Sequence, residues 1–256
     1  MLAAVLVAEL ILASALVLAP GAQGTIRTVS LGDGRAVELV SLGGPDTDPL
    51  LARVASAIEG AVAAVEQFWG TDWQRTIVVE ATDSDTQFAA RAHLDPNRQW
   101  TDIAAVAVAD QVDPVRRTAS GQRIVLAPGA AAMSDDALRI VLTHELFHFA
   151  ARADTALDAP RWLTEGVADF VARSPEPLPK DAAQNTSLPD DAELDDPGPQ
   201  RSAGYDRAWW FARFVADEFG VDALRRLYLR ACGPGHGDFD MGTLQARWAR
   251  WLAGTG

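Results

Sequence analysis

Two histidines stand four residues apart, with a glutamate directly after the first, in the stretch Thr-His-Glu-Leu-Phe-His at positions 143–148. No other feature constrains the fold as much. On a helix, residues i and i+4 share one face, a turn apart, so His144 and His148 present ring nitrogens to a single point. Two imidazoles held that way suit a tetrahedral zinc. Glu145 is turned about 100° from His144. It can reach a water at that point without joining the ligand row, which is the place of a general base. Leu138, Ile140, Val141, Leu142, Leu146, Phe147 and Phe149 carry apolar surface nearly all round the same segment, so the helix is expected in the core. Polar groups buried there without partners are costly, and a metal supplies the partner.

A catalytic zinc takes three protein ligands and leaves its fourth position to water. The chain has two other histidines. His93 ends a weak helix and His236 lies in a glycine-rich loop; both stay open as ligands. Glu165, in Pro-Arg-Trp-Leu-Thr-Glu-Gly-Val-Ala-Asp-Phe, is the stronger candidate. It follows His148 by 17 residues, and a helix, a turn and an antiparallel helix bring it back over the pair.

Hydrophobic period and punctuation place the remaining elements. Two strands are expected over 25–41 around Gly32-Asp33-Gly34, a helix over 48–70 stopped by Gly70, a strand over 75–81 and a short helix over 84–93. Strands follow over 102–110 and 122–128. Ser134 is the expected N-cap of the His-Glu helix, with Asp135 and Asp136 in the first turn, where the helix dipole favours them. Pro160 opens the next helix, to about Ala172. Residues 174–203, rich in proline and aspartate and poor in large apolar groups, are expected as a mobile acidic loop. Helices over 204–219, 221–231 and 241–253 close the chain. Strands first and helices last is an α+β order.

The 256 residues suffice for a sizeable core. A net charge of −13 repels phosphates, so nucleic acid is not an expected partner. Cys232 is the sole cysteine, which excludes an intramolecular disulfide, and it is expected as a small core residue. Residues 2–19 are apolar except for Glu9 and Ser14, no Lys or Arg precedes them, and Pro-Gly-Ala-Gln-Gly follows. Residues 1–24 are expected to be a signal peptide or a membrane anchor, which puts 25–256 outside the cytoplasm, secreted or anchored.

The pair His-Glu-Leu-Phe-His and Trp-Leu-Thr-Glu-Gly-Val-Ala resembles the gluzincin metallopeptidases, in particular bacterial proteins with a peptidase-MA-like domain. The resemblance is strong over 134–173 and looser, by element order, over 48–250. It implies a zincin-like fold, with a small N-terminal sheet, an active-site helix beneath it and a helical C-terminal part. It implies one zinc per chain held by His144, His148 and Glu165, with Glu145 as base. Asp169 matches a Glu-x-x-x-Asp pattern in which the aspartate orients a ligand histidine. An edge strand would hold the peptide, here 102–110 or 122–128. Gluzincins commonly place a Tyr or His donor beside the developing oxyanion. Tyr205 is the candidate, sharing a stripe with Ala208, Ala212, Val215 and Phe219, ahead of Tyr228 and His236. Trp162 and Leu163 are expected to pack the ligand helix against the active-site helix, and Gly166 to let the ligand helix approach a neighbour closely.

The function expected is therefore zinc-dependent hydrolysis of a peptide or protein substrate. The alternative is a zinc-binding module of the same fold that cuts nothing and serves as an extracytoplasmic binding or regulatory protein, for which an intact Glu145 would have no use.

Overall fold

The computed structural model describes residues 24–96, 100, 102–195, 199–234 and 242–254. The apolar segment 2–19 and His236 lie outside these. Among the described residues, no helix is long and apolar enough to cross a membrane. The chain is α+β and forms two compact units that divide between Ala153 and Asp154.

The first unit is a mixed sheet with helices on both faces. Its strands are β1 (Thr25–Ser30), β2 (Ala36–Ser41), β3 (Thr76–Ala81), β4 (Ala105–Val108), β5 (Gln111–Asp113), β6 (Thr118–Ser120) and β7 (Arg123–Leu126). The five-stranded sheet runs β1-β2-β3-β7-β4, parallel at β2-β3 and β3-β7 and antiparallel at its two ends. The strand 102–110 of the sequence reading is thus the open edge β4, and 122–128 is the internal strand β7. The helices are α1 (Asp48–Trp69), α2 (Asp85–Arg91) and α3 (Asp135–Ala151). Val106, Val108 and Val125 pack with Phe88 and Ala89 of α2. Their chain neighbours Ala105, Ala107, Ile124 and Leu126 point to the opposite face, because side chains alternate along a strand.

One part of this unit was not expected. β5 and β6 form a small antiparallel pair between β4 and β7. They keep the pairing of the larger strands, since Val108 faces Arg123, Gln111 faces Ser120 and Asp113 faces Thr118. β4 to β7 is therefore one long hairpin interrupted once, near Asp110 and Gly121. Gly121 has φ +64°, and a Cβ there would meet the Asp110 carboxylate.

α3 is fixed by what surrounds it. Ser134 caps it through Ala137 N–H, as the sequence predicts. Arg53 of α1 binds Asp135 at 2.7 Å and the carbonyls of Ala131 and Met133 at 3.1 and 2.6 Å. Phe147 meets Phe68 and Trp69 of α1 edge-on, with centroids 5.8 and 5.7 Å apart. Every residue from Val141 to Ala151 is buried, as the all-round apolar pattern requires.

The second unit is helical: α4 (Arg161–Ala172), α5 (Asp191–Asp195), α6 (Pro199–Phe219), α7 (Val221–Ala231) and α8 (Gly242–Leu252). α4 packs on α6 where Gly166 meets Ala208; a Cβ on Gly166 would lie 2.4 Å from the Ala208 carbonyl oxygen. Trp162 packs edge-on against Phe211 at 5.1 Å. Phe211, Phe214 and Trp248 close the core between α6 and α8. Tyr228 is buried with its hydroxyl 2.8 Å from Thr155 Oγ1, a packing role, and Cys232 is buried as expected.

Residues 174–203, expected as a mobile acidic loop, carry short helical elements where they are described. The segment contains a 3-10 turn at Ala182–Gln184, then α5, and α6 begins at Pro199. Proline at the first helical position accounts for the early start. Order comes from remote donors. Arg207 binds Glu193 at 2.8 Å and the carbonyls of Asn185 and Ser187, each at 2.8 Å. Arg213 binds the Glu176 carbonyl, and Trp248 Nε1 the Ser187 carbonyl at 2.9 Å. The described part of the segment is a strap whose main chain is bound at the Glu176, Asn185 and Ser187 carbonyls.

Candidate metal centre

α3 supplies the first part of the site. His144 and His148 are 1% and 2% exposed, and their Nε2 atoms are 3.0 Å apart. The one-turn spacing has brought the two rings to a common point, with ring centroids 4.8 Å apart. Glu145 is fully buried and turned toward the open edge of the sheet. Its Oε2 accepts a hydrogen bond from the Ala107 main-chain N–H at 2.6 Å.

That bond also fixes how β4 is turned. The Ala127 N–H binds the Ala104 carbonyl, so Ala104, Val106 and Val108 direct their main-chain groups to β7. Ala105 and Ala107 direct theirs to the unpaired side. One of these outward N–H groups holds Glu145; the Ala105 N–H and the carbonyls of Ala105 and Ala107 line the same edge.

α4 supplies Glu165, which is 1% exposed. The helix N-terminus is capped from the strap, where Asp191 Oδ1 accepts the Trp162 N–H at 2.8 Å. Asp169 lies one turn beyond Glu165, mostly buried, and accepts from Arg173 at 3.1 Å. Arg173 also binds Asp206 at 3.0 Å and stacks on Trp209 at 3.7 Å. Burial raises the Asp206 carboxyl above its ordinary range, against the pull of Arg173.

The ligating atoms of His144, His148 and Glu165 lie within 4.8 Å of one another, and all three residues are buried. No other group of three or more possible ligands occurs among the described residues. Two imidazoles and a carboxylate are a zinc donor set, with bonds of about 2.0–2.2 Å. Tetrahedral ligands at such lengths stand roughly 3.4 Å apart. The 3.0 Å between the two Nε2 atoms needs to open by a few tenths of an ångström and the widest separation, within 4.8 Å, to close by roughly 1.4 Å, so the donor set suits the metal after a side-chain adjustment.

Tyr205 is half-buried on α6, in the second turn of the helix and not at its first residue, because α6 starts at Pro199. Burial, and next the charge of Glu165, push its phenol well above the ordinary value, and Arg161 opposes them. The phenol therefore keeps its proton and stays a donor within electrostatic reach of Glu165. His93 is engaged elsewhere. It holds φ +58°, its Nε2 is 2.9 Å from Arg123 Nη2, and Asp110 is 3.8 Å away.

Two contributions were not anticipated from the sequence. The Ala107 amide has no signature, since any residue carries it. Asp191 lies in a segment whose composition reads as unstructured. Searches of protein-family models, of curated proteins and of solved structures find no match to this chain.

Proposed function

We propose that the chain is a zinc-dependent peptide hydrolase of zincin-like build, with His144, His148 and Glu165 as ligands and Glu145 as the proton-transfer group. The observation that carries the reading is the buried grouping of three ligand atoms within 4.8 Å, with a glutamate on the same helix that takes no part in it. Zinc bound there supplies Lewis-acid activation of a carbonyl and of a water. Glu145, oriented by Ala107, takes the proton of the attacking water through its second oxygen and returns it to the leaving amine. Tyr205 donates its phenolic hydrogen bond where negative charge develops on the carbonyl oxygen. Asp169 receives the outer N–H of a ligand histidine and so fixes its tautomer.

The substrate is an extended peptide that adds to β4. It pairs with the Ala105 N–H and with the Ala105 and Ala107 carbonyls, which face outward from the sheet. The apolar segment 2–19 supports the reading that this activity lies outside the cytoplasm, on a secreted or membrane-anchored chain.

The test is digestion of a mixed peptide library by the full chain loaded with zinc, with products read by mass spectrometry. Discrete cleavage sites are expected. A zinc-loaded chain that leaves every peptide intact would instead support the binding module.

A further inference from the structure

Arg161 opens α4 four residues before Glu165, so the two side chains share a helix face. Its guanidinium has five N–H donors in a planar fork. One of these binds Asp195 Oδ1 at 2.7 Å. Nε is buried with no hydrogen-bond partner. Most of the fork is thus unused beside the group that carries the proposed chemistry. Its charge acts on Tyr205 and on Glu165.

The partner it does have is loosely held. Asp195 ends α5, and its side chain is 69% exposed, against 32% for Arg161. A single bond between a wet carboxylate and an arginine contributes little, about 0–1 kcal/mol, and exchanges readily for a better carboxylate. A ligand carboxylate that used two donors of the fork would be held bidentate and more strongly.

We propose that Arg161 recognises a carboxylate on the peptide substrate, and that Asp195 holds its place when no substrate is bound. The inference rests on the hydrolase reading above. It makes Arg161 a specificity-determining residue and makes the end of the acidic strap a competitor for it. The chain's own Asp195 shows the chemistry accepted there. An acidic side chain or a free C-terminus supplies the same group.

The experiment uses the full zinc-loaded chain and one peptide scaffold in three forms: with a Glu and a free C-terminus, with Gln in place of that Glu, and with an amidated C-terminus. Cleavage is read as kcat/KM. Binding is read separately by calorimetry on Glu145→Gln protein, so that it does not depend on turnover. Wild type should prefer one carboxylate form over its neutral counterpart by about tenfold or more. The form preferred identifies the source of the carboxylate. Arg161→Gln should collapse that ratio toward one, mainly through KM. Asp195→Asn, at an exposed position that does not endanger folding, should raise the ratio two- to fivefold. Equal treatment of all three peptides by wild type, or a ratio insensitive to both substitutions, overturns the proposal. Binding that discriminates through Arg161 without any cleavage would keep the proposal and overturn the hydrolase reading instead.

Discussion

At the scale of single residues, the proposed function assigns metal holding and proton transfer to different groups. Glu145 stands one position from His144, a proposed ligand, yet bonds to the main-chain amide of Ala107. Glu145→Gln keeps a side chain of the same shape and should retain zinc, while kcat falls about 10²–10⁴-fold. Zinc content and turnover measured on the same preparation check this; loss of metal would make Glu145 a ligand. Tyr205→Phe removes one donor and should lower kcat about 10²–10³-fold, with zinc content and Tm nearly unchanged. Wild-type kcat in that variant would remove Tyr205 from the chemistry. His93 gives a prediction on pH. Burial, then the charge of Arg123, hold its pKa below the ordinary value, with Asp110 and Glu80 opposing and Arg91 reinforcing. In the unfolded chain it titrates near about 6.5. Between that value and the lower folded one, the unfolded state binds more protons, so stability falls as pH drops below about 6.5. His93→Asn tolerates the left-handed backbone and should flatten the dependence of Tm on pH over this window. An unchanged slope would place the acid sensitivity elsewhere.

At the scale of elements, what was legible had local causes. The Ser134 cap, the Gly70 stop and the all-round apolar run of α3 each act within a few residues, and all three agree with the structure. The β5-β6 pair is not legible because each strand has three residues, with Gln, Asp, Thr and Ser among them, and only its shared pairing with β4 and β7 makes it a hairpin. The strap was misread because Arg207, Arg213 and Trp248, not its own composition, order it. α6 starts five residues before the expected 204, at Pro199, a residue suited to a first helical position. Gly166 was legible as a close-packing glycine, and the neighbour it meets is the α6 backbone. Gly166→Ala should therefore destabilise the fold by about 1–3 kcal/mol or more, since the added methyl meets a carbonyl that cannot step aside. Chemical denaturation checks it; a neutral variant would mean that α4 and α6 separate freely.

At the scale of the molecule, the pattern of His144, Glu145, His148 and Glu165 revealed more of the candidate site than it did of the fold around it. A spacing of four reports helix geometry directly, whereas the order β1-β2-β3-β7-β4 depends on pairings between segments far apart in sequence. A metal that binds only the folded chain stabilises it by mass action, about 2.7 kcal/mol when free zinc is a hundred times its Kd. Chelation should lower Tm by several degrees and readdition should restore it, while His148→Ala should show neither response. Equal Tm for wild type with and without chelator would argue against a folded-state zinc site. The strap has a consequence for labelling. Lys180, the only lysine in the sequence, lies exposed on it, a few residues from the turn at Ala182–Gln184. An amine-reactive fluorophore that attaches to this side chain becomes a reporter for the tied segment without any engineered cysteine, and its anisotropy will follow whether the tether at Asp195 lets go when a peptide arrives.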